Sequence, residues 1–212
     1  MAGILQGFIA SLGGKEVPTV IGQSFGGGYY AGQISTAGNG TADYYLVVAP
    51  VSSGENSSKQ WKTSNTTTAG TTSVIDGPTN SANMNNASHP AAEFCEGLTI
   101  GGFSDWYMPA KNELEVCYYN LKPTTTLNNT SSGTNTNAVP SRSSNYTSSV
   151  PGQTSAADFK DTGAEDFAAA FYWSSTEGSA SNAWRQDFSS GYQLLSSKFN
   201  SLRVRAIRRV AV

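Results

Sequence analysis

Gly101-Gly102-Phe103-Ser104-Asp105-Trp106-Tyr107-Met108-Pro109-Ala110-Lys111-Asn112-Glu113-Leu114 is the stretch whose reading decides the fold. The glycine pair turns the chain, and Trp106-Tyr107-Met108 forms a short extended segment. Pro109 then opens a helix marked by Ala110, Leu114, Cys117, Tyr118 and Leu121. Upstream, Met84, Ala87, Ala91, Phe94, Cys95 and Leu98 recur at helical spacing, which predicts a helix over 83–98 with Pro90 in its first turn. Further upstream, 29–35 and 44–51 are rich in Tyr and Val and flank the turn formers Ala37-Gly38-Asn39-Gly40, so they read as a β-hairpin. Downstream, 171–175, 183–189, 192–196 and 202–210 are strand candidates separated by Gly, Ser and Asn. In the second of these, Trp184, Gln186 and Phe188 share one face and Arg185 and Asp187 the other. Hairpin, two helices, then an antiparallel sheet define an α+β domain.

Between these elements lie two polar tracts. Residues 52–80 hold Trp61 as their only large apolar anchor, and 122–166 carry Pro123, Pro140 and Pro151 with few aliphatics. Loops this long inside a compact domain are uncommon unless they are functional or pinned. They concentrate much of an unusual composition: 66 of 212 residues are Ser, Thr or Asn, while charged residues make up only 13 %. Aromatics at 11 % argue against disorder, and a net charge of −2 gives no electrostatic reason to expect nucleic acid or an anionic membrane as partner. No apolar run approaches the roughly 18 residues of a membrane helix.

The N-terminus carries Ile4, Leu5, Phe8, Ile9 and Leu12 on one helical face, ended by Gly13-Gly14, and 15–24 read as a linker. Two turns of helix are unstable alone, so this stripe either packs on its own domain or serves as a peg for attachment or oligomerisation. It has no positive charge ahead of it and is interrupted by Gln6 and Gly7, so it does not read as a secretory signal. The expected organisation is a peg and linker over 1–22 and a folded domain over 23–212.

Chemistry-bearing constellations are scarce. His89 is the only histidine, beside Pro90 at a helix start, and reads as a surface or capping residue rather than a metal ligand or triad member. Gly26-Gly27-Gly28 leads into a strand, not from a strand into a helix, and so lacks the context of a nucleotide loop. Asp105 and Glu177 read as local turn or strand-end acceptors, and Trp106, Trp173 and Trp184 as core. Arg203, Arg205, Arg208 and Arg209 form a local basic patch that reads as a solvated or subunit-facing strand side. No metal, cofactor or enzymatic activity is expected.

The segment from Gly101 to Leu114 resembles the "GG-x-x-DWRLP-x-x-x-EL" signature of a C-type-lectin-like family, the collagen-like-protein C-terminal type, found in bacterial surface proteins and in phage tail and other virion proteins. A second signature follows in Phe171-Tyr172-Trp173-Ser174-Ser175-Thr176-Glu177, then Ala183-Trp184, Phe188, Gly191 and Val204-Arg205-Ala206-Ile207-Arg208. Ala91-Ala92-Glu93-Phe94-Cys95 resembles the family's first helix, and the likeness covers roughly residues 25–210. Two departures stand out. Where the family has a capping Ser or Thr, this chain has Ala110, leaving Glu113 without its capping partner at a cost of about 1 kcal/mol. Where the family often has a second Cys in the last strand, this chain has Ala206, so Cys95 and Cys117 are expected to be free, packed thiols. The calcium-lectin motifs Glu-Pro-Asn, Gln-Pro-Asp and Trp-Asn-Asp are missing, as is the C-terminal cysteine pair of the related formylglycine-forming enzyme.

The resemblance implies a C-type-lectin-like fold whose late loops, here 178–182 and 189–200, form an exposed recognition face. On it stand Asn182, Arg185, Asp187, Tyr192, Gln193, Lys198 and Asn200, a mixture of Tyr and small polar residues of the kind used in paratopes. The expected function is that of a phage virion protein, a tail-fibre or tip module binding a host cell-surface glycan or protein. Its expected partners are other virion proteins and copies of itself, as a trimer, with no nucleic acid and no membrane insertion. It would be assembled in the host cytoplasm and exposed on the extracellular particle. Two alternatives stay open: a decoration or collar protein with contacts only to other virion subunits, and a bacterial surface adhesin.

Overall fold

A computed structural model describes residues 17–212. The N-terminal stripe Ile4, Leu5, Phe8, Ile9 and Leu12 lies outside the described residues, so the peg has no structural account. The linker expectation does not hold to its end, because Pro18 is buried, Ile21 packs against both halves of the core, and Gly22 N–H donates to the Tyr30 carbonyl at 2.8 Å.

Two five-stranded sheets carry the fold. The first runs β1 (Ser24–Phe25), β2 (Gly28–Ile34), β3 (Tyr44–Val48), β10 (Ile207–Ala211), with β5 (Ala138–Val139) also on β2. The expected hairpin is β2–β3, and β3 sits centrally: Tyr45, Leu46, Val47 and Val48 are all buried, as the apolar run of a strand covered on two faces should be. The register shifts between Tyr30 and Gly32. Gly32 takes φ +129° there, and a Cβ on it would stand 2.4 Å from Asn120 Nδ2, so only glycine lets the helix amide reach the Ala31 carbonyl at 2.8 Å.

The second sheet runs β4 (Glu55–Gln60), β9 (Ser201–Arg205), β6 (Phe171–Glu177), β7 (Asn182–Asp187), β8 (Gln193–Ser197), antiparallel apart from the β6–β9 pair. The polar tract 52–80 therefore contains a strand, β4, held by pairing with β9 rather than by its own side chains. The single strand expected over 202–210 is two strands in different sheets. The chain crosses at buried Ala206, whose N–H donates to Gly54 O at 2.9 Å and whose carbonyl accepts from Ala49 N–H at 3.0 Å.

Four short helices complete the α+β architecture: α1 (Val51–Gly54), α2 (Gly77–Ala82), α3 (Pro90–Glu96) and α4 (Lys111–Leu121). The helix expected over 83–98 begins only at Pro90, because the residue before a proline is pushed out of the helical region; His89 has φ −127°, ψ 68°. At α4 half of a capping box exists: Ala110 N–H donates to Glu113 Oε2 at 2.8 Å, while Ala110 offers no return acceptor.

The core has two parts. One packs Ile34, Leu46, Leu114, Tyr118, Tyr172 and Phe188, among others, between α4 and the strands; the other gathers Trp61, Trp106, Trp173, Cys95 and Ala206. Each buried indole N–H is satisfied, Trp61 by Ser174 O, Trp173 by Lys59 O and Trp106 by Phe103 O, at 2.9, 2.9 and 3.1 Å. Both thiols are free and buried. No described helix is long and apolar enough to cross a membrane.

Candidate functional site

The C-terminal arginines do not form a basic patch. Arg205 is fully buried against Glu165, at 3.0 Å, and its Nε donates to Ala49 O. Arg203 pairs with Glu55 at 2.6 Å, Arg208 with Asp105, and Arg209 with Glu113 at 2.8 Å. Glu113 is itself fully buried and accepts from Tyr107 OH at 2.6 Å as well. Burial pushes its carboxyl above the ordinary range, and the Arg209 charge pulls it part of the way back. These carboxylates are structural counter-charges drawn from distant parts of the chain.

A second ionic cluster pins the first polar tract. Lys198 Nζ donates to Glu177 and to Thr66 O, over the Trp61 ring at 4.7 Å. Lys62 Nζ donates to Thr66 O and Thr67 O, both at 3.0 Å, and to Thr68 Oγ1 at 2.7 Å. Thr68 Oγ1 in turn meets His89 Nε2 at 2.9 Å, and His89 Nδ1 meets Asn86 Oδ1 at 2.9 Å. His89 does stand at the N-cap position of α3, its carbonyl accepting from Glu93 N–H at 3.0 Å, but its side chain caps nothing and is not at the surface: it is buried, and burial with the Lys62 and Lys198 charges lowers its pKa to about 4. Glu177 is a strand-end acceptor, closing β6, but what it receives is not local: Thr68 N–H reaches it from the far tract at 3.0 Å.

The expected recognition residues do not share one surface. Lys198 is fully buried in the cluster just described and presents nothing to solvent. Asp187 spends its Oδ1 on Ser189 N–H and Oγ, at 2.8 and 2.7 Å, and its Oδ2 on Ser190 Oγ at 2.9 Å, closing the β7–β8 turn. Asn182 likewise braces its own turn through Ser179 and Ser181, and Asn200 Nδ2 donates to Ser196 Oγ at 2.8 Å. Arg185 lies flat on Phe171 at 3.6 Å, on the face opposite Trp184. Tyr192 is exposed, and Gln193 faces the other way, toward α4.

That other side holds a cleft of about 150 Å³ that the sequence reading missed. Lys111, Ser132, Thr134, Asn145, Trp184 and Gln193 line it. Trp184 is not core: its ring is half-buried and Lys111 Nζ stands over it at 4.8 Å. Burial lowers the Lys111 pKa, Glu115 partly opposing. Gln193 is fixed from two sides, its N–H donating to Ser132 Oγ at 3.0 Å and its Nε2 to Lys111 O at 3.3 Å. Thr134 Oγ1 donates to Asn145 Oδ1 at 2.8 Å. The wall between them bends at Gly133, φ +116°, where a Cβ would lie 2.3 Å from the Tyr146 ring. Trp184 carried a signal, since it shares a face with Gln193 only if β7 and β8 pair in the observed register; Ser132, Thr134 and Asn145 lie in an insert without pattern.

Among the described residues no three His, Cys, Asp or Glu side chains gather as a metal site. What the geometry defines is an α+β domain of two sheets that holds a small polar cleft between the start of α4, the β7–β8 hairpin and the second insert. The chain belongs to the Lcl C-terminal domain family, whose model matches residues 53–208. No curated protein matches it.

Proposed function

We propose that this protein is a phage virion component, a tail-fibre or tip module that recognises a host cell-surface glycan or protein and catalyses no reaction. In this reading the domain is C-type-lectin-like: the strands near both termini, β2, β3 and β10, and helix α4 form the rigid base, and the β7–β8 end carries recognition. The observation that carries the reading is the cleft beside Trp184, where a half-buried indole and uncommitted polar groups face solvent on a rigid frame. The polar inserts support it, because their buried lysines hold them in place. The particle would be held through residues 1–22.

A second reading, a decoration or collar subunit, is favoured by one observation. β8 is the last strand of its sheet, and Leu195 on it, with Tyr192 before it and Phe199 after it, is exposed, which suits contact with a neighbouring subunit. Purified protein added to host cells separates the two. Receptor binding predicts saturable association that weakens on combining Tyr192→Ala with Trp184→Ala. A decoration protein does not bind cells.

A further inference from the structure

We propose that the Trp184 cleft is a subsite for one carboxylate-bearing sugar residue. The inference rests on the reading of the domain as a glycan binder and specifies the ligand class at that same end. Three features carry it. Lys111 is the only charged side chain lining the cleft, and among the described residues its ammonium has no salt bridge and no side-chain or backbone acceptor. Among the described residues the buried lysines, Lys62, Lys122 and Lys198, are each met by carbonyl or carboxylate oxygens. The one partner of the Lys111 ammonium is the Trp184 ring at 4.8 Å, which leaves its N–H donors without an oxygen acceptor, and a carboxylate there would gain a charge-assisted hydrogen bond.

The second feature is Trp184. Its half-exposed ring supplies an apolar surface for the C–H face of a pyranose, and Trp61, Trp106 and Trp173 are buried, so it is the one indole a solute can reach. The third is the set of open polar groups. Asn145 Nδ2 and Gln193 Oε1, one donor and one acceptor, have no partner within the described residues, although each amide is held by a bond through its other atom. They stand where ring hydroxyls could exchange hydrogen bonds with them. The volume of about 150 Å³ suits a single ring rather than a chain. A phosphate or sulfate ion would use Lys111 and the Asn145 donor but leave the indole and the Gln193 acceptor idle.

The test uses the full chain, tryptophan emission, and three probes: methyl β-D-glucuronide, methyl β-D-glucoside and sodium acetate. The glucuronide is expected to shift the emission saturably, with the glucoside and acetate each at least about 10-fold weaker. Lys111→Met should erase the difference between the two sugars, and Trp184→Phe should remove the signal, both with unchanged far-UV circular dichroism. Equal response to glucuronide and glucoside, or no response to either, overturns the proposal. Cell binding by the same proteins keeps the two levels apart. Wild-type binding that survives Lys111→Met removes the cleft and leaves the host-recognition reading standing. Glucuronide binding by a protein that ignores host cells supports the cleft and removes the host-recognition reading.

Discussion

Arg208 grips Asp105 with both prongs of its guanidinium: Nε donates to Oδ1 at 2.7 Å and Nη2 to Oδ2 at 2.9 Å. The two residues stand in the two separate signatures that make the chain recognisable, 103 positions apart. The same guanidinium lies on the Phe103 ring at 3.8 Å and donates through Nη1 to Gly26 O at 2.9 Å. One side chain on β10 thus ties the turn before α4 to the glycine loop that opens the first sheet. An Arg is required, because a lysine has neither the planar fork nor the face for stacking.

Arg208→Ala should cost about 2–3 kcal/mol, since it removes the stack and the carbonyl contact together with the ion pair. Asp105→Ala should cost about 1 kcal/mol or less, because the Asp105 side chain is 55 % exposed and the pair is screened. Urea unfolding of the two variants measures this order. Equal losses would mean that the ion pair alone matters.

His89 makes stability depend on pH in a defined window. Its pKa is lowered from 6.5 to about 4 by burial and by the Lys62 and Lys198 charges, so the folded chain resists a proton that the unfolded chain accepts. Its contribution is fully present above pH 6.5 and is lost as the pH falls through 4, amounting to roughly 3 kcal/mol. Thermal melts of wild type and His89→Gln from pH 7 to 4.5 should therefore converge as the pH drops. Parallel curves would refute this assignment.

Lys122 does for the second insert what Lys62 does for the first. Its ammonium donates to Asn128 Oδ1 at 2.7 Å and to Pro151 O at 3.3 Å, and Asn128 Oδ1 also accepts from Tyr118 OH at 2.7 Å. Lys122→Met keeps the length and removes three charge-assisted hydrogen bonds, to Thr126 O, Asn128 Oδ1 and Pro151 O, at a cost on the order of 2–4 kcal/mol. Limited proteolysis should then cut within 123–157 before anywhere else among the described residues. A cleavage pattern like that of wild type would show that the insert holds itself.

How much of this could be read in the sequence follows from where each element gets its stability. The β2–β3 hairpin and α4 carry their own patterns, Tyr- and Val-rich runs on either side of a Gly-Asn-Gly turn and Leu114, Cys117, Tyr118 and Leu121 at helical spacing. Both form near where the sequence puts them, although the second strand, expected to reach residue 51, ends at Val48 and Val51 opens α1. β4, Glu-Asn-Ser-Ser-Lys-Gln, has no such pattern, since it exists through pairing with β9. Lys198 and Arg205 look exposed in sequence because Glu177 and Glu165, which allow their burial, lie 21 and 40 residues away. The cleft was illegible for the same reason. Trp184 was visible, but its neighbours come from α4 and from an insert with no periodicity.

Cys95 and Cys117 sit in different parts of the core, both fully buried, and burial pushes both thiols up. Neither should react with a thiol reagent in the native protein, and both should react after denaturation. Intact mass without reductant should equal that of the dithiol. A mass lower by two hydrogens would overturn this.

The central claim, that this domain carries recognition at its β7–β8 end on a virus particle, is tested most directly by an electron cryo-microscopy map of the particle. The account predicts residues 178–200 and the Trp184 cleft pointing outward into solvent, with residues 1–22 directed toward the particle. A map in which that end is buried against neighbouring subunits would contradict it.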